Sequence, residues 1–481
     1  MKHKLASFTE FVNQLYPHEA DYLLNINQFV KPVNISILKI IHHNCHHPEN
    51  AQAFDEKIDK RTYSYLKNWI VETLEKADVD KFYEWLLETE KLVMLDAISA
   101  NGEREIISKF KLITPSHYYF LRFYELTQHF RDYLLIRVRN IFYKPTNTYL
   151  ELHEQAYIKG VATNKKLNRA TEEIIRQHET PLLQQSAFSD FLHQTFSDTG
   201  LDGYSRYRAA VRLTFHYYNF REFANLRSLY DALDEEFKQN TFYSKRLLSN
   251  YYSNRAMMHS KLNELNKAEH YGFLSIRQKN SDYLFYLANL CGVLLRNKKY
   301  EKALKIMSSS IPDLKNTNSF YNKIGFVSFY IKTLVYNNKA KNAVSYGSTF
   351  LDAYKKEIFD TRWHLFFSAF FQALLNAEKY AKIISNCNRY NLLTKENKFI
   401  ESSVYTPILF WYFEVAMFIE GRQNRENLLQ TIRESSLKLL SNNYKTGKLF
   451  EILDQLKDCL PAETEEIRSF ILKYKDPKLT S

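Results

Sequence analysis

The sequence predicts an all-α fold, an α-solenoid of stacked helix pairs preceded by a helical N-terminal region. Three observations carry this. Glycine and proline number only 10 each in 481 residues, well below the roughly 12% the two contribute to an ordinary chain. Strands and tight turns need glycine at positive φ, so their scarcity points to helices joined by short polar turns. Apolar residues recur at helical spacing, most clearly at Leu287, Leu290, Cys291 and Leu294, then Tyr300, Ala303, Met307 and Ser310. The polar turn Arg296-Asn297-Lys298-Lys299 splits the two stripes. One such pair cannot bury both faces alone, so it must stack on neighbouring pairs.

The elements follow in order. Residues 1–145 form a helical N-terminal region without an internal repeat. Ser7 followed by Glu10 has the spacing of a capping box. Helices are expected near 8–15, 35–43, 63–77, 79–100 and 116–142, with Pro17, Pro32, Pro48 and Pro115 at the joints. The run from Tyr118 to Tyr124 is apolar nearly all round and should be deeply buried. Lys144-Pro145-Thr146-Asn147 is the first expected boundary, and 146–203 is a connecting region with helices near 149–160 and 168–178. Gly200 and Gly203 make 198–203 the expected hinge. A repeat array spans 204–400. Its small-residue positions fall at Ala268, Ala303, Ala343 and, less well, Ile383, with an earlier copy near Phe223. Residues 401–481 supply a last pair (404–419 and 425–440), two capping helices near 447–459 and 462–474, and a disordered tail from 475.

Leu287, Leu290, Cys291, Leu294, Tyr300 and Ala303 sit where the tetratricopeptide repeat (TPR) places its large, small, aromatic and alanine positions, and the chain resembles that family over 204–400. Tyr252, Ala256, Leu265 and Ala268 repeat the frame less closely, and Val327, Tyr330 and Ala343 keep part of it. The family's terminal proline has no counterpart, since Lys315 and Asn280 stand there, and several copies exceed 34 residues. The resemblance implies a right-handed solenoid whose concave face is lined by the first helix of each pair. It speaks to fold more than to function, and it places partner-binding side chains at Asn254, Asn289, Arg208 and Lys332. An amide can donate and accept at once, which suits a peptide backbone, and a cation suits a carboxylate.

The net charge is +12 and the isoelectric point near 9.1. An acidic partner would explain that balance. So would composition, because Lys, Asn, Ile, Tyr and Phe are all favoured by AT-rich genomes. Nucleic acid is therefore the alternative partner, held by Arg206, Tyr207 and Arg212, and by Arg137 and Arg139, where arginines interleave with aromatic rings. The same pattern arises when rings pack the core and arginines snorkel outward. Cys45, Cys291, Cys387 and Cys459 are scattered without a CxxC, which favours a reducing compartment. No apolar segment follows the basic N-terminus as in a signal peptide, and no run reaches the roughly 20 residues of a membrane span, so a cytoplasmic protein without membrane insertion is expected.

Catalysis finds no support. GxSxG, P-loop, GxGxxG and HExxH patterns are absent, and His153-Glu154 and His178-Glu179 read as solvated helix residues. The run His42-His43-Asn44-Cys45-His46-His47 is the one cluster with metal-ligand chemistry, His42 and His46 sharing a helical face with Cys45 or Glu49 nearby. No second Cys/His cluster completes a structural site, and Pro48 ends the helix there, so an exposed last turn is expected and no cofactor or metal.

Overall fold

A computed structural model describes residues 5–179, 188–398, 400 and 405–475. The expected disordered tail lies outside them, as do the side chains of His178 and Glu179. Among the described residues the protein is all-helical, with no strand. The chain divides into two compact units, one ending at Leu262 and the other beginning at Asn263.

Unit one starts with α1 (Ala6–Asn13), α2 (Pro17–Ile26), α3 (Pro32–His46), α4 (Lys60–Ala77) and α5 (Val79–Met94). It continues through α6 (Ala100–Lys109), α7 (Phe120–Ile136), α8 (Asn140–Glu179) and α9 (Ser189–Ser197). Its last helices are α10 (Gly203–Phe220), α11 (Phe223–Lys238) and α12 (Lys245–Lys261). Pro17 and Pro32 occupy the first turns of α2 and α3, where the missing amide has no intrahelical acceptor anyway. Ser7 lies inside α1 and caps nothing. The reciprocal cap is instead at α2, where the Glu19 carboxylate accepts from the Tyr16 amide at 2.8 Å.

The joint expected at residue 145 is also absent. α8 runs 40 residues, close to 60 Å at about 1.5 Å per residue, straight through Pro145. The proline sits only six residues in, and buried Tyr149 and Leu150 one turn later tie the helix to the core around α7. Further along, Gly160 lets α8 close on α7, since a Cβ there would stand 2.6 Å from Leu121 Cδ2. Gly203, expected in a hinge, does similar work. A Cβ on it would meet the Tyr118 Cα at 3.1 Å, and the adjoining Tyr204 amide donates to the Tyr118 carbonyl.

Unit two opens with α13 (Leu265–Ser275), α14 (Tyr283–Arg296), α15 (Tyr300–Ser309), α16 (Phe320–Tyr336) and α17 (Ala340–Ala353). Then come α18 (Lys355–Thr361), α19 (Trp363–Asn376), α20 (Tyr380–Tyr390) and α21 (Leu392–Asn397). α22 (Ile408–Ile419), α23 (Arg425–Leu437), α24 (Asn443–Leu456) and α25 (Pro461–Lys475) complete it. First helices pack on first helices, α14 on α16, α16 on α19 and α19 on α22. Second helices α15, α17 and α20 each pack on the first helix that follows. Ala268, Ala303, Ala343 and Ile383 are all 0% exposed. The 3-10 turn Ile311–Lys315 and the short helices α18 and α21 fill the links between pairs.

One turn recurs throughout. The first helix ends, one residue adopts positive φ, and the next donates its amide five residues back. Lys298, Asn338 and Glu378 hold φ of 58°, 58° and 56°. Lys299, Lys339 and Lys379 then donate to Leu294, Leu334 and Leu374, each at 2.9 Å. This Schellman closure satisfies end carbonyls of the helix. In unit one Val138 takes the left-handed position at φ 57°, though β-branched and 74% exposed. Such a residue is a genuine outlier there, at a cost of roughly 1–2 kcal/mol. Val138→Gly is therefore expected to raise unfolding stability by about 1 kcal/mol, read from the urea midpoint. An unchanged or lower midpoint would contradict the strain.

A second expectation concerns acid. Burial, with the Lys109 charge added, pushes the His117 pKa down from 6.5 to about 4. The ring packs edge-on to Phe82 and its Nδ1 accepts the Tyr119 amide at 3.3 Å, which suits the neutral form. The folded pKa lies below the unfolded one, so this contribution is complete above pH 6.5 and is lost as pH falls toward 4. His117→Phe should flatten the pH dependence of stability across that window.

Candidate functional site

The residues expected to bind a partner fall in both units. In unit two, Asn289 lies on α14 and Lys332 on α16, consecutive first helices, and each is half-buried. The Lys332 ammonium lies 5.8 Å from the Phe329 ring centre. Its pKa is lowered by burial and then by the Lys448 charge, partly opposed by Glu451. Lys448 and Glu451 belong to α24. One turn on from Lys332, Tyr336 is affected by Glu451 and Asp454 of the same helix, and buried Tyr412 of α22 donates to the Gln455 Oε1. A helix of the chain's own C-terminal segment thus lies against this face of α16 and α22. Leu449, Ile452, Leu453 and Leu456 fix it in the core of the unit.

In unit one, Asn254 on α12 is half-buried, and its Nδ2 donates to the Asn250 Oδ1 at 2.9 Å. Arg208 on α10 is spoken for: its two Nη atoms donate to the Asn164 and Asn168 carbonyl oxygens of α8, and its guanidinium lies 5.5 Å from the Tyr204 ring centre. Beside these runs a buried polar network that the sequence does not announce. His18 of α2 places Nε2 3.1 Å from Asp234 Oδ1 on α11 and Nδ1 2.6 Å from the Tyr252 hydroxyl on α12. If the Nε2–H is donated to the carboxylate, Nδ1 is left to accept from the tyrosine. Asp234 also accepts from Tyr251, Arg255 and Lys238. Burial pushes its carboxyl up, but the bonds to His18, Tyr251 and Lys238 outweigh that and hold it far below the carboxylate range. The Tyr243 hydroxyl donates to Glu19, which is 1% exposed. These bonds fasten α2 to α11, to α12 and to the link between them.

The residues named for the nucleic-acid alternative lie in contrasting surroundings. Arg206 is 4% exposed, its Nε donates to the Phe196 carbonyl at 2.9 Å, and both Nη atoms bind the Glu236 carboxylate. It cannot reach a phosphate. Arg212 donates to the Leu167 carbonyl, the Thr171 hydroxyl and the Arg208 carbonyl. Burial and the neighbouring Arg208 charge pull its pKa to about 10. Tyr207 packs against Tyr118 and Phe242. Arg137 and Arg139 stay at the α7–α8 turn, more than a third exposed, pairing with Asp96 at 2.7 Å and Glu103 at 3.8 Å. His153, expected in solvent, packs edge-on to Phe120 and Tyr149.

The histidine run also departs from expectation. Cys45 is buried with its Sγ 4.0 Å from the Val12 carbonyl, and Glu49 pairs with His47. What meets His42 and His46 is Asp21 of α2, 21 and 25 residues back in sequence. Sequence periodicity predicts which face the two histidines share but not which helix covers it.

No protein-family model, curated protein or solved structure matches the chain.

Removing one partner of a buried ion pair costs about 3–5 kcal/mol, against about 0–1 for an exposed pair. Arg206→Met is therefore expected to destabilise unit one severely in urea, while Arg137→Ala changes stability by less than about 1 kcal/mol. Equal stability of Arg206→Met and the parent would return that arginine to the candidate ligand-binding residues.

Proposed function

We propose that the protein is a non-enzymatic interaction scaffold, adaptor or sensor of the cytoplasm. In this reading it is a right-handed solenoid of TPR-like helix pairs that binds a protein or peptide partner. The observation that carries it is the packing order in unit two, first helix on first helix and second helix on the next first helix, closed each time by the same left-handed turn. Such an order builds a continuous row of first-helix side chains, and a row is suited to an extended chain rather than to a small substrate. Half-buried Asn289 and Lys332 lie on that row and would contribute amide and cationic contacts, although a partner reaching Lys332 would have to displace α24 or share the face with it. Unit one adds Asn254 and Arg208, although Arg208 would have to release the two asparagines of α8. A partner surface of about 1,200–2,000 Å² is within reach of several pairs.

None of the four cysteines forms a disulfide, which supports a reducing compartment. Among the described residues no helix is long and apolar enough to cross a membrane. The nucleic-acid reading is weakened by the intramolecular engagement of Arg206 and Arg212, which leaves Arg137 and Arg139 as its remaining named cations.

Affinity purification from the native host, with and without nuclease, separates the two. A stoichiometric protein partner should survive digestion, bind with shallow salt dependence and be lost on Lys332→Glu. Nucleic acid retained only in the undigested sample, with affinity falling steeply as salt rises, would overturn the scaffold reading.

A further inference from the structure

We propose that unit one holds a binding site for one borderline divalent transition-metal cation, Zn²⁺ in the first instance, formed by Asp21 of α2 and His42 and His46 of α3. The His42 Nε2 lies 2.8 Å from the Asp21 Oδ1, and the His46 Nε2 lies 2.7 Å from the same oxygen. The two rings are 4.6 Å apart at 41°, and one ligand atom from each residue falls within 4.8 Å of the others. No other described group of three His, Cys, Asp or Glu residues converges in this way.

Helix geometry produces the pair. Residues four apart share a face, so His42 and His46 present both imidazoles to α2, which packs on α3. The neighbours turn elsewhere. His43 meets the Asn50 carbonyl at 3.1 Å, His47 meets Glu49 at 3.6 Å, and Cys45 points toward Val12. Only the two histidines one turn apart reach the carboxylate.

Imidazole nitrogen and carboxylate oxygen are the ligand types that suit zinc and its neighbours, at metal distances of about 2.0–2.2 Å. Ligand atoms around such an ion stand about 3.4 Å apart in a tetrahedron. The nitrogen–oxygen spacings here, 2.8 and 2.7 Å, are those of hydrogen bonds, so loading an ion requires the Asp21 carboxylate to draw back from the two rings by about 0.6–0.7 Å. The Nε2 atoms that face Asp21 bind an ion only as lone-pair donors, so any proton on them must leave, to Nδ1 of the same ring or to solvent, when the site loads.

The side chains of His42, Asp21 and His46 are 34%, 19% and 33% exposed. Coordination positions beyond these three therefore face solvent and would be filled by water, the open three-ligand pattern rather than a closed structural one. An ion here would clamp α3 to α2, the helix that already carries His18 and Glu19 into α11 and α12. Metal loading would then be coupled to the stability of unit one.

The test uses the full chain without a polyhistidine tag, stripped with chelator and titrated with ZnCl₂ by calorimetry. One equivalent should bind, with a rise in unfolding temperature. His42→Ala and His46→Ala should each weaken binding by more than about 100-fold, beyond the 10–100-fold typical of groups that only orient ligands. Asp21→Asn keeps the shape and hydrogen-bonding capacity of the carboxylate, so it should fold and still lose affinity. His43→Ala and His47→Ala should bind as the parent does. Co²⁺ added to the unmodified protein gives a readout free of any folding defect, visible d–d bands shifted by imidazole ligation. No stoichiometric binding, unperturbed Co²⁺ bands, or equal losses in the His43 and His47 variants would overturn the site.

Discussion

The pairs α14–α15, α16–α17 and α19–α20 each turn on a residue forced into the left-handed region, and the stacking order depends on that turn. The chain reverses within about three residues, so second helices return directly against their own first helices and onto the next. Longer, looser turns would let the second helix slide along its partner, and the alanines at 268, 303 and 343 would lose their registered contacts. Glycine is the residue that adopts this conformation without cost, yet among the described residues only Gly421 does so. Lys298, Asn338 and Glu378 hold the position instead. The hydrogen bonds of the closure and the burial that follows it must outweigh the local strain at every repeat.

Charge is handled with similar consistency. A net charge of +12 invites a search for exposed basic surface, and arginines interleaved with rings invite a nucleic-acid reading. The interior of unit one absorbs much of that signal. Arg206 is sealed against Glu236, Arg212 is spent on backbone and hydroxyl acceptors, and Arg208 binds two asparagines of α8. Each guanidinium links helices that share little sequence proximity, so these residues act as internal cross-braces. The Asp234–His18 pair does the same between α11 and α2, and it explains why the N-terminal helices and the first pairs of the expected array form one unit.

How much was legible from the sequence follows from this. The all-helical class was, because helical periodicity and scarce glycine are local properties. The turns at 298, 338 and 378 were visible as polar interruptions between apolar stripes, and the small positions came from spacing alone. Boundaries were not. Pro145 suggested a joint, but the burial of Tyr149 and Leu150 and the close approach at Gly160 are tertiary facts that override a local breaker. Gly203 suggested a hinge for the same reason, where it actually admits the backbone of Tyr118. The site was legible only in part. His42 and His46 announced a shared face through their i,i+4 spacing, whereas Asp21 carries no motif and becomes relevant only when α2 packs on α3. The fate of Arg206 was equally hidden, since snorkelling and burial leave the same trace in a sequence.

The position of α24 against α16 and α22 has a consequence for any ligand of that face. A segment of the same chain is a tethered occupant, present at an effective concentration in the millimolar range for short links, and here it is further secured by four buried aliphatic side chains. A free peptide at cellular concentration would meet a competitor that never diffuses away. On the proposed scaffold reading, a ligand of this surface would have to engage the stretch of first helices beyond the reach of α24 or carry enough affinity to unseat it. The second route would make occupancy a threshold event rather than a graded one.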